Sequence, residues 1–140
     1  MEERIEKDGK LYAIVVRRHF WSEGVKFFTE PEHEMQFGVI VREGGSVIDA
    51  HYHKPIKREL VGTAEVIHIE FGEVNATIYD DAKSEIGNIL LGSGDIIILL
   101  AGGHRFWFTK TSKMMECKIG PYYGKEEDKS YIEERKDVVI

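Results

Sequence analysis

Short β-branched runs, each closed by a glycine or aspartate turn, restrict this chain to an all-β fold. The runs are Leu11 to Val16, Phe37 to Val41, Glu65 to Phe71, Val74 to Tyr79 and Asp95 to Leu100. Gly44-Gly45, Gly72, Asp80-Asp81, Gly92-Ser93-Gly94 and Gly102-Gly103 punctuate them. Such residues tolerate the backbone angles that tight turns demand, so each marks a place where the chain reverses. Between residues 34 and 120 no helical stripe of useful length interrupts the pattern. Many short strands with glycine-rich turns predict an antiparallel sandwich or small barrel with little helix. There is no internal repeat.

The two ends are patterned differently. Residues 18 to 34 alternate less cleanly and contain Pro31, which predicts a loop with a short strand near Phe27-Phe28. Ser46 to Ala50 reads as a further strand. The stretch from Gly124 to Asp137 is dominated by charge, the ordinary mark of a solvated tail, yet Tyr131 and Ile132 sit within it and Val138-Val139-Ile140 follows. Apolar residues beyond a charged stretch suggest docking onto a barrel or a neighbouring subunit. Leu11 to Val16 and Tyr131 to Ile140 are the expected docking or exchanged strands of a homodimer, since small barrels have edges to cover and two-fold pairs are the commonest assembly.

Length and charge narrow the function. The 140 residues fit one domain, 1–140, with its barrel core at about 36–119. A domain of this size buries roughly two thirds of the surface its unfolded chain exposes, enough for a core without staples. The net charge of −6 argues against nucleic acid, which demands a basic face. Lys54, Lys57 and Arg58 make one compact basic cluster, suited to a single anionic small molecule. Ile96 to Ala101 is far too short to span a bilayer. Met1 to Lys10 lacks an apolar leader run, and the single Cys117 allows no internal disulfide, which fits a cytoplasmic protein. Cys117 reads as a small buried hydrophobe.

The chemistry lies in four residues. On a strand, positions two apart share a face, so His51 and His53 aim two imidazoles at one point. By the same parity Glu65 shares a face with Ile67, Ile69 and Phe71, an apolar face with a carboxylate at its end. A buried carboxylate is costly unless paired or bound to a metal. The plain reading of Glu65 is a strand-end carboxylate reaching solvent or Arg58. His104 follows the Gly102-Gly103 turn, and its plain reading is a hydrogen-bonded turn histidine. If His104 points inward, Phe106 and Phe108 do too, and Trp107 faces outward. Three imidazoles and one carboxylate suit zinc, iron, manganese, cobalt, nickel or copper. His68 is out of phase with Glu65, and His19 and His33 lie in unpatterned segments.

This spacing resembles the cupin family. Five residues lie between Gly45 and His51, His53 completes the His-x-His pair, and Glu65 is followed after six residues by Gly72. Gly94-Asp95, the run Ile96 to Leu99 and the turn Leu100-Ala101-Gly102-Gly103 ending in His104 stand in the place of the second cupin motif. The chain is also similar to small single-domain cupins of carbohydrate-biosynthesis gene clusters through His51-Tyr52-His53-x-Pro55, Arg58-Glu59 with Gly62-Thr63, and Lys118-Ile119-Gly120-Pro121-Tyr122. Three departures stand out. Eleven residues separate His53 from Glu65, so Glu59 competes for the ligand role. Leu100 replaces the turn proline, in a turn one residue short. The late asparagine is not evident.

The resemblance implies a jelly-roll β-barrel holding one divalent transition metal (Zn, Fe, Mn or Ni) on His51, His53, Glu65 and His104. Gln36, Tyr52, Arg58 and Tyr122 are candidates to contact a small-molecule substrate, with Arg105 and Trp107 nearby. An enzyme acting on a small polar molecule is expected. It would isomerise or epimerise a sugar derivative, or carry out oxygenation if the metal is iron. The alternatives are a non-catalytic module or sensor that binds a small ligand, and an empty barrel with structural histidines.

Overall fold

Two runs carry apolar residues at successive positions rather than alternate ones, Tyr12 to Val16 and Ile96 to Leu99, and a strand of that kind must be buried on both faces. They form the middle of the molecule. The structure, a computed structural model, describes residues 1–132. Its strands are β1 (Glu2–Lys7), β2 (Lys10–Val16), β3 (Gly24–Phe27), β4 (Gly38–Val41), β5 (Glu65–Phe71), β6 (Glu73–Tyr79), β7 (Glu85–Gly92), β8 (Ile96–Leu99), β9 (Gly103–Phe108) and β10 (Lys113–Lys118). One helical turn, α1 (Lys125–Asp128), follows. No described helix is long and apolar enough to cross a membrane.

The strands make a five-stranded sheet in the order β1-β2-β8-β5-β10 and a three-stranded sheet in the order β7-β6-β9, all antiparallel. The two sheets face one another. Ala13 and Val15 of β2, Ile67 and Ile69 of β5, and Ile97 and Leu99 of β8 pack against Val74, Ala76 and Ile78 of β6 and Leu91 of β7. The alternate residues of the same strands, Ile14, Val16 and Ile98, point the other way and bury Phe28. There the β3-β4 hairpin, through Val39, and the aromatic trio Phe20, Phe28 and Phe37 form a lid over the outer face of the large sheet. Each fully buried aliphatic or aromatic side chain in these two layers contributes about 1.5–3 kcal/mol.

On one side of the sandwich Ile5 of β1 packs against Gly87 of β7. On the other side β9 and β10, joined by the turn at 109–112, share no ladder, and among the described residues each pairs on one edge only. Among the described residues no ladder closes the two sheets into a barrel. The all-β, antiparallel architecture is as the sequence indicates.

Several expectations are corrected. Leu11 to Val16 is no docking strand: as part of β2 it lies between β1 and β8 at the centre of the sheet. The charged start of the chain is β1, so the folded core reaches back well before residue 36. Ser46 to Ala50 forms no strand, and residues 42–63 are exposed throughout without regular structure. Phe71 is 60% exposed rather than buried with Ile67 and Ile69, at a strand end where the ladder shifts register between Lys113 and Met114. Cys117 is exposed rather than buried, since β10 is an edge strand. Of the expected C-terminal docking segment, residues 133–140 lie outside the described residues. Tyr131 is exposed, while the side chain of Ile132 comes down against Gly103.

Candidate functional site

The turn before β9 is shaped by close approach. Gly102 has a φ of 67°, and a Cβ there would collide with the carbonyl oxygen of Tyr79 and the ring of Tyr12. Only glycine fits such a position. The chain then enters β9 with His104 opposite Ile78, Phe106 opposite Ala76 and Phe108 opposite Val74. Those β6 residues are fully buried in the inter-sheet core, so His104, Phe106 and Phe108 share the inner side of β9, with the His104 side chain at the rim and 34% exposed. Trp107 faces outward, 61% exposed. Phe106 packs on the core; Phe108, at the open side, is 44% exposed.

Glu65 reaches the same space from the opposing sheet. It opens β5 and is buried together with Ile67 and Ile69, as expected from alternation. Its Oε2 lies 3.2 Å from His104 Nε2. The pair approaches without hydrogen-bond alignment, and Oε2 is a buried oxygen with no hydrogen-bond partner among the described residues. An unsatisfied buried carboxylate oxygen is rare and expensive, which marks this as the place where a partner is wanted.

Electrostatics reinforce the point. Burial, and then the neighbouring Glu116 carboxyl, push Glu65 up to about 7, while Lys118 and Lys129 pull the other way. Burial holds the His104 imidazole below its ordinary value, with Lys129 acting in the same sense and Glu116 against it. A neutral imidazole is the form that ligates metals. Glu116 and Lys129 were not singled out from the sequence, and Lys118 only as the first residue of the Lys118–Tyr122 stretch. Two of the three are placed there by strand pairing, which carries no local sequence signal: Glu116 stands opposite Ile67 and Lys118 opposite Glu65, on the inward parity of β10.

The other half of the expected ligand set is elsewhere. His51 and His53 do lie together, ring centroids 5.3 Å apart, with His51 Nδ1 2.7 Å from the Asp49 carbonyl oxygen. They stand on the exposed 42–63 segment, and among the described residues no three His, Cys, Asp or Glu side chains are close enough to hold a metal ion. The expected donors thus fall into two pairs, one on each half. Glu59, the competing ligand, is exposed on the same segment as the histidine pair.

The expected substrate contacts are also dispersed. Tyr52 is 99% exposed, and Arg58 reaches only the nearby Ile56 carbonyl, at 3.5 Å. Gln36 precedes β4 rather than lying in a strand. Its amide donates to the carbonyls of Glu30 and His33 and so ties the 30–36 loop. Tyr122 lies beneath Lys118, whose Nζ is 4.9 Å from the ring centre, which puts it beside the Glu65 end. Arg105 lies opposite Thr77 on the outward parity of β9. An open hollow of about 480 Å³ where the segment leaves β4, lined by Trp21, Gly24, Val41 and Arg42, includes neither Glu65 nor His104.

Gly94-Asp95 has a structural role. The Asp95 carboxylate accepts hydrogen bonds from the Gly92 N–H at 2.9 Å, the Arg18 N–H at 3.0 Å and Arg17 Nη1 at 2.9 Å, tying the β7-β8 turn to the end of β2. No family model, curated protein or solved structure matches this chain.

Proposed function

We propose that this chain is a metal-binding protein of cupin type that acts on a small polar molecule, such as a sugar derivative, at the Glu65–His104 end of the sandwich. The observation that carries the reading is the buried, unpartnered Glu65 Oε2 beside His104 Nε2. A carboxylate oxygen and a neutral imidazole from facing sheets are half of a ligand set, and His51 and His53 complete it. Such donors suit Zn, Fe, Mn or Ni. A bound ion would polarise a substrate oxygen or activate water, which fits isomerisation or epimerisation, and oxygenation if the ion is iron.

The chain's own groups do the rest. Lys118 and Lys129 bring positive charge to the site and favour an anionic or oxygen-rich ligand. Phe106 and the inter-sheet core form an apolar floor that limits water. Glu116, adjacent to Glu65, is a carboxyl outside the proposed ligand set, available to hold or move a proton.

Elemental analysis of protein purified without an affinity tag tests this. Near-stoichiometric metal is expected in the wild type and its loss in both His51→Ala and His104→Ala. A wild type that stays empty after incubation with divalent ions would sink the proposal.

A further inference from the structure

We infer that residues 42–63 form an arm exchanged between two copies of this chain, each arm lying along the open β9-β10 side of the other copy. His51 and His53 of the partner subunit then meet Glu65 and His104. The composite site rests on the metal reading above; the exchange itself does not.

The arm is built to leave its own fold. Long segments without regular structure are uncommon inside compact domains, yet 42–63 is exposed from end to end. Among the described residues a single hydrogen bond ties positions 43–63 to the rest, from the Val61 N–H to Glu34 Oε1 at 2.8 Å. Its other hydrogen bonds are local, engaging the carbonyls of Glu43, Asp49 and Ile56, and leave most of its backbone groups free to pair. It also displays Val47, Ile48, Tyr52, Ile56 and Val61, each at least 60% exposed. So much apolar surface on one strip marks an interaction element.

The receiving surface is equally incomplete. Among the described residues the outer edge of β9 has no strand beside it, and an unpaired edge is a template for another chain. Phe108 remains partly exposed there, and the unpartnered Glu65 oxygen lies at one end. An arm paired along β9 would place His51 and His53 on one side by the two-residue repeat, the side His104 already faces.

A second copy, rather than the same chain, is the occupant because the arm pairs with neither open edge of its own chain. It leaves β4, whose hairpin packs on the outer face of the large sheet, and runs back into Ala64 and Glu65, yet between those anchors His51 and His53 stand exposed and apart from the Glu65–His104 pair between the sheets. Reciprocal exchange covers both open sides with one two-fold operation and leaves no arm unmatched.

The test mixes unlabelled and nitrogen-15-labelled full-length protein, unfolds and refolds the mixture together, and applies an amine cross-linker. Links from Lys54 or Lys57 to Lys110, Lys113 or Lys118 are then sorted by isotope. Mixed-isotope links as abundant as same-isotope ones, with a light-scattering mass of twice 16.1 kDa, are expected. Same-isotope links alone, or a monomer, would overturn the exchange. A second mixture pairs His51→Ala/His53→Ala chains with Glu65→Gln/His104→Ala chains. Neither parent should hold metal, but the isolated mixed dimer should regain one centre. If wild type binds metal and the mixed dimer does not, the shared site is overturned. Mixed-isotope links in a protein that binds no metal would support the exchange and sink the metal reading alone.

Discussion

His104 Nε2 stands 3.2 Å from Glu65 Oε2 across the gap between two sheets, at the side of the sandwich where, among the described residues, neither β9 nor β10 has an outer neighbour. The two residues are far apart in sequence and on strands that never pair. Their meeting depends on the burial of Glu65 with Ile67 and Ile69, and on the glycine turn that delivers β9 onto β6. The surrounding architecture is therefore where stability predictions bear on the site.

The Asp95 junction predicts an acid limit. Burial acts to raise the Asp95 carboxyl, but the Gly92 and Arg18 N–H groups and the Arg17 side chain outweigh it, so its folded value lies below the ordinary 3.8. A carboxyl depressed in the folded state adds stability above its unfolded value, and that contribution is lost as pH falls through the folded value. Wild-type stability in urea should decline below about pH 4. Asp95→Asn should be about 2 kcal/mol less stable at pH 7, from lost charged hydrogen bonds, with a shallower decline in acid. Equal acid sensitivity in both proteins would remove Asp95 from this role.

Gly102 and Gly45 separate two costs of adding a side chain. Both have positive φ, 67° and 91°, but a Cβ at Gly45 meets nothing within 4 Å, whereas one at Gly102 meets the Tyr79 carbonyl and the Tyr12 ring. Gly45→Ala should lose about 1–2 kcal/mol, the left-handed backbone penalty. Gly102→Ala should lose clearly more and displace His104. Thermal denaturation of the two variants side by side checks the order; equal losses would contradict the steric account.

Phe28 is the centre of the outer layer, 1% exposed and in contact with Phe20 and Phe37. Phe28→Ala should cost about 3–5 kcal/mol and loosen the β3-β4 hairpin from which the arm departs. Trp107→Ala, at a half-exposed outward position, should cost far less. Urea midpoints give the comparison, and a tolerant Phe28 would mean that the lid contributes little.

Cys117 should react in the native state, because it is exposed on an edge strand. A thiol reagent should modify one cysteine per chain at a rate near that of the unfolded protein. Protection until unfolding would show that another surface covers the outer face of β10, the face Cys117 shares with Val66 and not the one that faces the Glu65–His104 pair.

Local periodicity determined most of the fold. The 65–71 run became β5 with its alternation intact through Ile69, and the unbroken apolar runs became central strands buried on both faces. Burial of Glu65 and the inward parity of His104 and Phe106 were legible for the same reason: side-chain direction along a strand is local geometry. What had no local signal was pairing. The charged Glu2–Lys7 segment became a strand because β2 offered it an edge. A run as suitable as Ser46–Ala50 did not, because no described strand lies beside it. Strand pairing joins residues distant in sequence, and an edge either finds a neighbour in the fold or stays open. Tertiary structure alone therefore decided that Glu65 meets His104 while His51 and His53 stand apart on an exposed arm.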